Sequence, residues 1–154
     1  MNDEGYELLR LDNQICFPLY AATNLINRLY RPLLAKVGLT YPQYIAMMAL
    51  WERSPMPMGA LCDRLFLDSG TLTPLLKRLE KTGYIARRRD PEDERRMIVS
   101  LTDEGDRLRE AASEIPRALL EKFDAAGPEL VLFRELLQAT VAGLHQKLQE
   151  EQGS

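Results

Sequence analysis

Apolar residues recur along this chain at three- and four-residue intervals, and each run predicts a helix. Between residues 11 and 36, Ile15, Leu19, Ala22, Ile26, Leu29 and Leu33 keep one stripe. Pro18 fits a first turn but not a helix interior, so regular helix is expected to begin near Phe17, after a capped turn at Asp12 or Asn13. Thr40 with Gln43 three residues later has the capping-box pattern, and a helix to about Glu52 should follow. That helix is apolar nearly all round (Tyr44, Ile45, Met47, Met48, Leu50, Trp51), which places it centrally, with its methionines and Trp51 read as core. Residues 54–57, SPMP, read as a turn. Met58, Leu61, Cys62 and Leu65 then mark a short helix. Asp68 is a good N-cap, and Leu72, Leu75, Leu76 and Leu79 line one face of a further helix ending near Thr82, where Gly83 stops it. Pro74 should distort that helix locally.

After Gly83 the period changes. Residues 84–88 and 97–101 read as two short strands around the charged loop 89–96. Thr102 caps the next helix, whose stripe is Leu108, Ala112, Ile115, Leu119 and Phe123, with a kink expected at Pro116. After AAGP, residues 125–128, a last helix carries Leu130, Phe133, Leu137, Val141, Leu144 and Leu148. This seam is longer than a small domain needs for itself, so a dimer interface built with the first helix is expected. The predicted fold is mainly α with a small β-hairpin, in one domain spanning residues 1–154. Residues 40–101 would form a winged helix-turn-helix, and residues 11–36 and 102–149 the dimerisation helices.

Charge sharpens this reading. The chain carries a formal net charge of −3, but residues 64–96 hold nine Lys or Arg against six Asp or Glu, a local +3 in an acidic protein. A modest local excess suffices for phosphate binding, because counterion release follows the contacts made. The helix face opposite the leucines presents small and polar residues followed by a cation, so Ser69, Thr71, Thr73 and Lys77 are the candidates for a DNA major groove. In the wing, Arg95 is expected in the minor groove braced by Asp93, with Arg88 near phosphate. The plainer alternative is that these charges are simply solvated.

The two cysteines form no CxxC or Cys/His cluster, and His145, the only histidine, has no partner for a zinc site. No metal or cofactor is expected. Cys62 falls on a packing face. Cys16 falls at a helix N-terminus, where unpaired N–H groups favour the thiolate, although a small buried apolar role remains open. No apolar run reaches the length of a membrane span, and the N-terminal MNDEGYELLR lacks the pattern of a signal peptide, so a cytoplasmic protein is expected.

The stretch LDSGTLTPLLKRLEKTGYIARRRDPEDER, followed by MIVSLTDEG, resembles the MarR family of bacterial winged-helix regulators. LDNQICFPLY and LTYPQYIAMMALWE resemble its organic-hydroperoxide-sensing branch, the OhrR type. The resemblance covers nearly the whole chain. It implies a homodimeric repressor of transcription in which Cys16 matches the peroxide-sensing cysteine and Tyr30 and Tyr41 match tyrosines that hydrogen-bond it. Tyr20 also matches a tyrosine of the branch. No cysteine follows Cys62, so the chain resembles the one-cysteine type, whose oxidised sulfur would be capped by a small thiol.

Tyr30 lies fourteen residues beyond Cys16 on one helix, roughly 21 Å at about 1.5 Å per residue. Tyr20, one turn beyond Cys16, is close enough to contact it. If Tyr30 hydrogen-bonds that sulfur, as the resemblance implies, it must come from the other subunit, and Tyr41 would arrive with it. The expected partners are a pseudopalindromic double-stranded operator, a second copy of the chain, an organic hydroperoxide and a small thiol, with no membrane. Two other functions fit parts of this pattern: a MarR-type repressor released by a small aromatic ligand, and a thiol peroxidase. A DNA-reading wing has no purpose in a peroxidase, so an enzyme is not expected.

Overall fold

The structure, a computed structural model, describes residues 4–123 and 127–152. A four-residue helix α1 (Glu4–Glu7) and one 3-10 turn (Leu11–Asn13) precede α2 (Cys16–Ala35). Then come α3 (Tyr41–Glu52), β1 (Met56–Pro57), α4 (Met58–Leu65), α5 (Ser69–Lys81), β2 (Ile85–Arg89) and β3 (Met97–Leu101). The chain finishes with α6 (Asp103–Ala112), α7 (Glu114–Leu120) and α8 (Gly127–Gln152). Of the expected break at 125–128, residues 125 and 126 lie outside the described part; Gly127 and Pro128 already belong to α8.

The core forms around α3, which packs against α2, α4, α5, α6 and β3. Its start is fixed by the Gln43 side-chain oxygen, which accepts from the Thr40 N–H (2.8 Å) and hydroxyl (3.1 Å). Tyr44, Ala46, Met47, Ala49 and Leu50 are buried, and so are Leu72, Leu75, Leu76 and Leu79 of α5. Trp51 is half-buried, with its indole N–H donating to the Gly105 carbonyl at 2.8 Å.

Two helices end in Schellman motifs built on glycine. At Gly83 (φ +82°) the Tyr84 N–H bonds the Leu79 carbonyl and the Gly83 N–H bonds the Glu80 carbonyl. At Gly38 the same pattern closes α2. A third closure, between α4 and α5, places Phe66 in the left-handed region at φ +54°, with the Leu67 N–H on the Cys62 carbonyl. A non-glycine residue there costs about 1–2 kcal/mol, and no glycine marks this turn in the sequence.

Two expectations need correction, and Pro116 and Pro74 behave differently. Residues 54–57 are not only a turn, because Met56 and Pro57 pair with Val99 and Ile98, giving an antiparallel sheet ordered β1-β3-β2 instead of an isolated hairpin. Two residues are too few to show a strand period, so the sequence could not reveal β1. The first wing strand starts at Ile85, since Tyr84 is used by the helix cap and its carbonyl accepts from Thr102. The helix after Thr102 is broken into α6 and α7 around Ser113, because Pro116 cannot donate to the Ala112 carbonyl. Pro74, in contrast, does not interrupt α5. The four buried leucines hold the helix together, and the Gly70 carbonyl that loses its donor belongs to an exposed residue.

The wing is joined to α6 by one close approach. The Thr102 hydroxyl accepts from the Gly105 N–H (3.0 Å) and donates to the Gly83 carbonyl (2.6 Å). A Cβ on Gly105 would sit 1.9 Å from the Tyr84 carbonyl oxygen, so only glycine fits. Gly105→Ala is expected to lower stability by about 3 kcal/mol or more through steric overlap. Thr102→Ala, which deletes a cap, should cost about 1–2 kcal/mol. Urea unfolding at one fixed protein concentration checks the order; a Gly105→Ala loss smaller than that of Thr102→Ala would refute the packing account.

Candidate nucleic-acid interface and thiol site

Helix α5 lays its leucines inward and thereby presents the opposite face to solvent. Asp68 caps it, its carboxylate accepting from the Thr71 N–H at 2.8 Å and hydroxyl at 2.7 Å. Those two bonds hold the Asp68 carboxyl below the ordinary carboxylate range. Ser69, Thr71 and Lys77 are exposed, while Thr73 is half-buried, its hydroxyl donating back to the Ser69 carbonyl at 2.7 Å. Thr71 and Thr73 keep acceptor lone pairs, and Lys77 all its donors, for an incoming duplex.

The wing tip is tightly organised. The Asp90 N–H bonds the Arg96 carbonyl, the Arg96 N–H bonds the Asp93 carbonyl, and the Arg89 guanidinium donates to the Glu94 carbonyl at 2.8 Å. The Arg95 Nε donates to Asp93 Oδ1 at 3.2 Å, and the Arg95 side chain is 92% exposed. Asp93 thus braces a guanidinium whose outer N–H groups point to solvent. Arg88 is exposed on β2. Between the wing base, α4 and α5 lies an open groove of about 700 Å³, lined in part by Ser69, Thr73, Arg95 and Arg96. Of the candidate residues, Ser69 and Thr73 of α5 and Arg95 of the wing border this one concave surface, while Thr71, Lys77, Arg88 and Asp93 lie outside its lining.

One pair in this region has no signature in the sequence. Glu80, in the last turn of α5, accepts three bonds from Arg87 of β2: from the backbone N–H at 3.1 Å, from Nε at 3.0 Å and from Nη2 at 2.6 Å. Seven residues separate them across a helix end and a turn, which neither the helical nor the strand repeat can flag. The Arg87 bonds hold the Glu80 carboxyl below the ordinary carboxylate range.

Cys16 is the first residue of α2 and is exposed. Tyr20, one turn on, is 67% exposed. At the other end of α2, Tyr30 lies against Tyr41, with ring centroids 4.7 Å apart, and 6.0 Å from the ring of Tyr44. Burial, with added repulsion from the neighbouring phenolates, pushes the Tyr30 hydroxyl up to about 12. Burial also raises Tyr41. Both phenols therefore stay protonated donors at neutral pH. The structure brings Tyr30 and Tyr41 together and keeps Cys16 roughly 21 Å away along α2.

Cys62 is half-buried against the core, and burial pushes its thiol up, helped by Asp63 and Asp68. Burial and the neighbouring carboxylates thus disfavour its thiolate. His145 meets the edge of Phe66, centroids 5.0 Å apart, and shares a hydrogen bond with Gln149, so it takes part in packing instead of standing free on the helix surface. Among the described residues no cluster of His, Cys, Asp or Glu could hold a metal ion.

Comparison with known proteins agrees with this geometry. Residues 28–112 match the family model described as transcriptional regulator SarA/Rot. The organic hydroperoxide resistance transcriptional regulator of Bacillus subtilis is 42% identical over 145 residues, 94% of this chain and 99% of that protein. This chain belongs to the MarR family of winged-helix transcriptional regulators. Among solved structures, AbfR of Staphylococcus epidermidis, reduced and bound to DNA, superposes with a TM-score of 0.74 at 37% identity, covering 92% of this regulator and 98% of AbfR. AbfR has also been solved overoxidised on DNA and in a disulfide form. MarR itself superposes with a TM-score of 0.67 at 25% identity, over 84% of this regulator and 98% of MarR. The regulator's reading head is therefore a DNA-binding winged helix.

The depressed Glu80 carboxyl has a pH consequence. A carboxyl lowered on folding contributes stability above its unfolded value, and that contribution is lost as pH falls through the depressed value. The Glu80–Arg87 pair should thus persist throughout the neutral range. In an acid titration followed by NMR, the Arg87 amide should shift with a midpoint below the ordinary carboxylate range. A midpoint at or above that range would show that the pair does not form in solution.

Proposed function

We propose that this protein is a cytoplasmic homodimeric repressor that leaves its operator when organic hydroperoxide oxidises Cys16. The observation that carries the reading is the separation of Cys16 from Tyr30 along α2, with Tyr41 of α3 packed against Tyr30. A phenol cannot span roughly 21 Å, so each sulfur would meet the tyrosines of the other subunit, with the two α2 helices running antiparallel. Unburied apolar surface supports the pairing: Phe17, Leu19, Leu25 and Leu29 of α2 are exposed, and so are Leu132, Phe133, Leu136, Val141, Leu144 and Leu148 of α8. Among the described residues no helix is long and apolar enough to cross a membrane, so a protein partner is the natural cover.

In the dimer, two neutral phenols would donate to the Cys16 sulfur and favour its thiolate, the form that attacks a peroxide. The thiolate attacks the outer peroxide oxygen, forming an S–O bond as the O–O bond breaks, which gives a sulfenic acid and an alkoxide that leaves as alcohol after protonation. A small thiol then condenses with the sulfenic acid, releasing water. The adduct is bulkier than the sulfur it replaces. It would force the tyrosines apart and carry the two reading heads out of register with half-sites about one helical turn apart. Each head reads its half-site with Ser69, Thr71, Thr73 and Lys77 in the major groove. Arg95, braced by Asp93, enters the minor groove, and Arg88 lies near phosphate. Residues 11–36 and 102–149 serve as the dimerisation helices and residues 40–101 as the reading head.

The thiol assignment is tested by oxidation. With one equivalent of cumene hydroperoxide, mass spectrometry should place the modification on Cys16. Cys16→Ser should keep DNA affinity but lose release by peroxide, and Cys62→Ser should lose neither. Tyr30→Phe and Tyr41→Phe should each slow the reaction at Cys16. Modification at Cys62 alone, or unchanged rates in both tyrosine variants, would overturn the site.

The interface assignment is tested on a duplex selected from random DNA by the wild-type protein. Arg95→Ala should weaken binding by about tenfold and flatten the salt dependence by about one unit if a phosphate contact is lost as well. Equal affinity at physiological salt would remove Arg95 from the interface.

A further inference from the structure

We infer that Glu80 and Arg87 form the positioning pair that sets the angle between the wing and the recognition helix, so that Arg95 reaches DNA only while this pair is closed. The inference rests on the proposed DNA reading of the wing. It concerns a pair that would act by holding the wing, one member of which, Arg87, also lines the groove.

Alternation along β2 puts Ile85, Arg87 and Arg89 on one face, and Ile85 is 2% exposed. The Arg87 side chain is only 16% exposed, lying over the end of α5 where an apolar residue would otherwise sit. A guanidinium in that position needs a fixed anion, and Glu80 supplies one carboxylate to both the fork and the strand backbone. Among the described ion pairs this is the shortest, and its arginine is the least exposed of those arginines.

The wing is stiff beyond this point. Residues Arg87 to Arg89 pair with Val99 to Met97, and the loop closes on itself through Asp90, Asp93, Glu94 and Arg96. The wing joins the body through β3, which β1 holds at Val99 and Ile98, and through β2, which is held by the Gly83–Ile85 connection and the Glu80–Arg87 bonds. Loss of those bonds frees the β2 side of the lever. Four residues of strand and loop extend about 13 Å beyond Arg87 at about 3.3 Å each. A pivot of about 10° would therefore move the tip by roughly 2 Å, beyond the tolerance of a hydrogen bond.

The test is a double-mutant cycle on the selected duplex, using the full chain. Wild type, Glu80→Gln, Arg95→Ala and the double variant are compared by fluorescence anisotropy, with circular dichroism and thermal unfolding confirming each fold. Glu80→Gln keeps the shape but removes the charge, and should weaken binding by roughly tenfold. Arg95→Ala should then cost no more than about twofold in the Glu80→Gln background, because an arginine already displaced has little to lose. If Glu80→Gln does not fold, Arg87→Lys, which keeps the cation but loses the fork, enters the same cycle.

Unchanged affinity of the Glu80→Gln variant, or of Arg87→Lys where it takes its place, or a full Arg95→Ala cost in that background, would overturn the positioning role, because a merely stabilising pair leaves the two effects additive. Should Arg95→Ala have no effect even in the wild type, the wing reading itself fails and takes this inference with it.

Discussion

Burial of one face of α5 is the constraint on which the rest of the reading head depends. Leu72, Leu75, Leu76 and Leu79 are each 9% exposed or less, within a core that includes Tyr44, Met47 and Leu50 of α3. Each buried leucine contributes about 1.5–3 kcal/mol, far more than any polar contact on the opposite face. The rotation of α5 about its own axis is therefore fixed by the core, and the polar face has no freedom to turn inward. Caps at Asp68 and Gly83 then fix where the helix starts and stops. Recognition chemistry is displayed by default, as the residue of a packing problem already solved.

The second organising fact is surface left uncovered. Helix α8 has no buried residue over twenty-six positions, and α2 has only Leu34. A long helix with an exposed apolar stripe gains little by packing on its own domain when the core is already full, and much by meeting its symmetry mate. This arrangement ties sensing to assembly. Cys16 begins α2, and Tyr30, further along it, packs against Tyr41 at the start of α3, so the proposed site, drawing on both ends, needs two chains. On the proposed reading, a change at the Cys16 sulfur is felt at the interface that spaces the reading heads. The spacing follows from helix geometry alone.

Much of this was legible in the residues. Repeats of three and four marked the helices, the change to alternation marked the wing, and capping residues at Thr40, Asp68 and Thr102 gave helix starts that the structure reproduces. Local signals of this kind survive because the interactions behind them span at most a few residues. The DNA-facing candidates were legible for the same reason, since the face opposite a leucine stripe is fixed by the helical repeat.

What the sequence left open was everything decided between distant residues. The pairing of Met56 with Val99, the fit of Gly105 under the Tyr84 carbonyl and the bond from Trp51 to Gly105 join positions tens of residues apart or on different elements. The turn at Phe66 adopts a left-handed backbone without glycine because its neighbours hold it there. The Glu80–Arg87 pair exists only once a helix end and a strand have been packed together. By itself the sequence determined which faces are apolar and where each helix begins, because those are properties of one-dimensional spacing. Only the tertiary structure decided which charge meets which, because that depends on how the elements lie against one another once the core is filled.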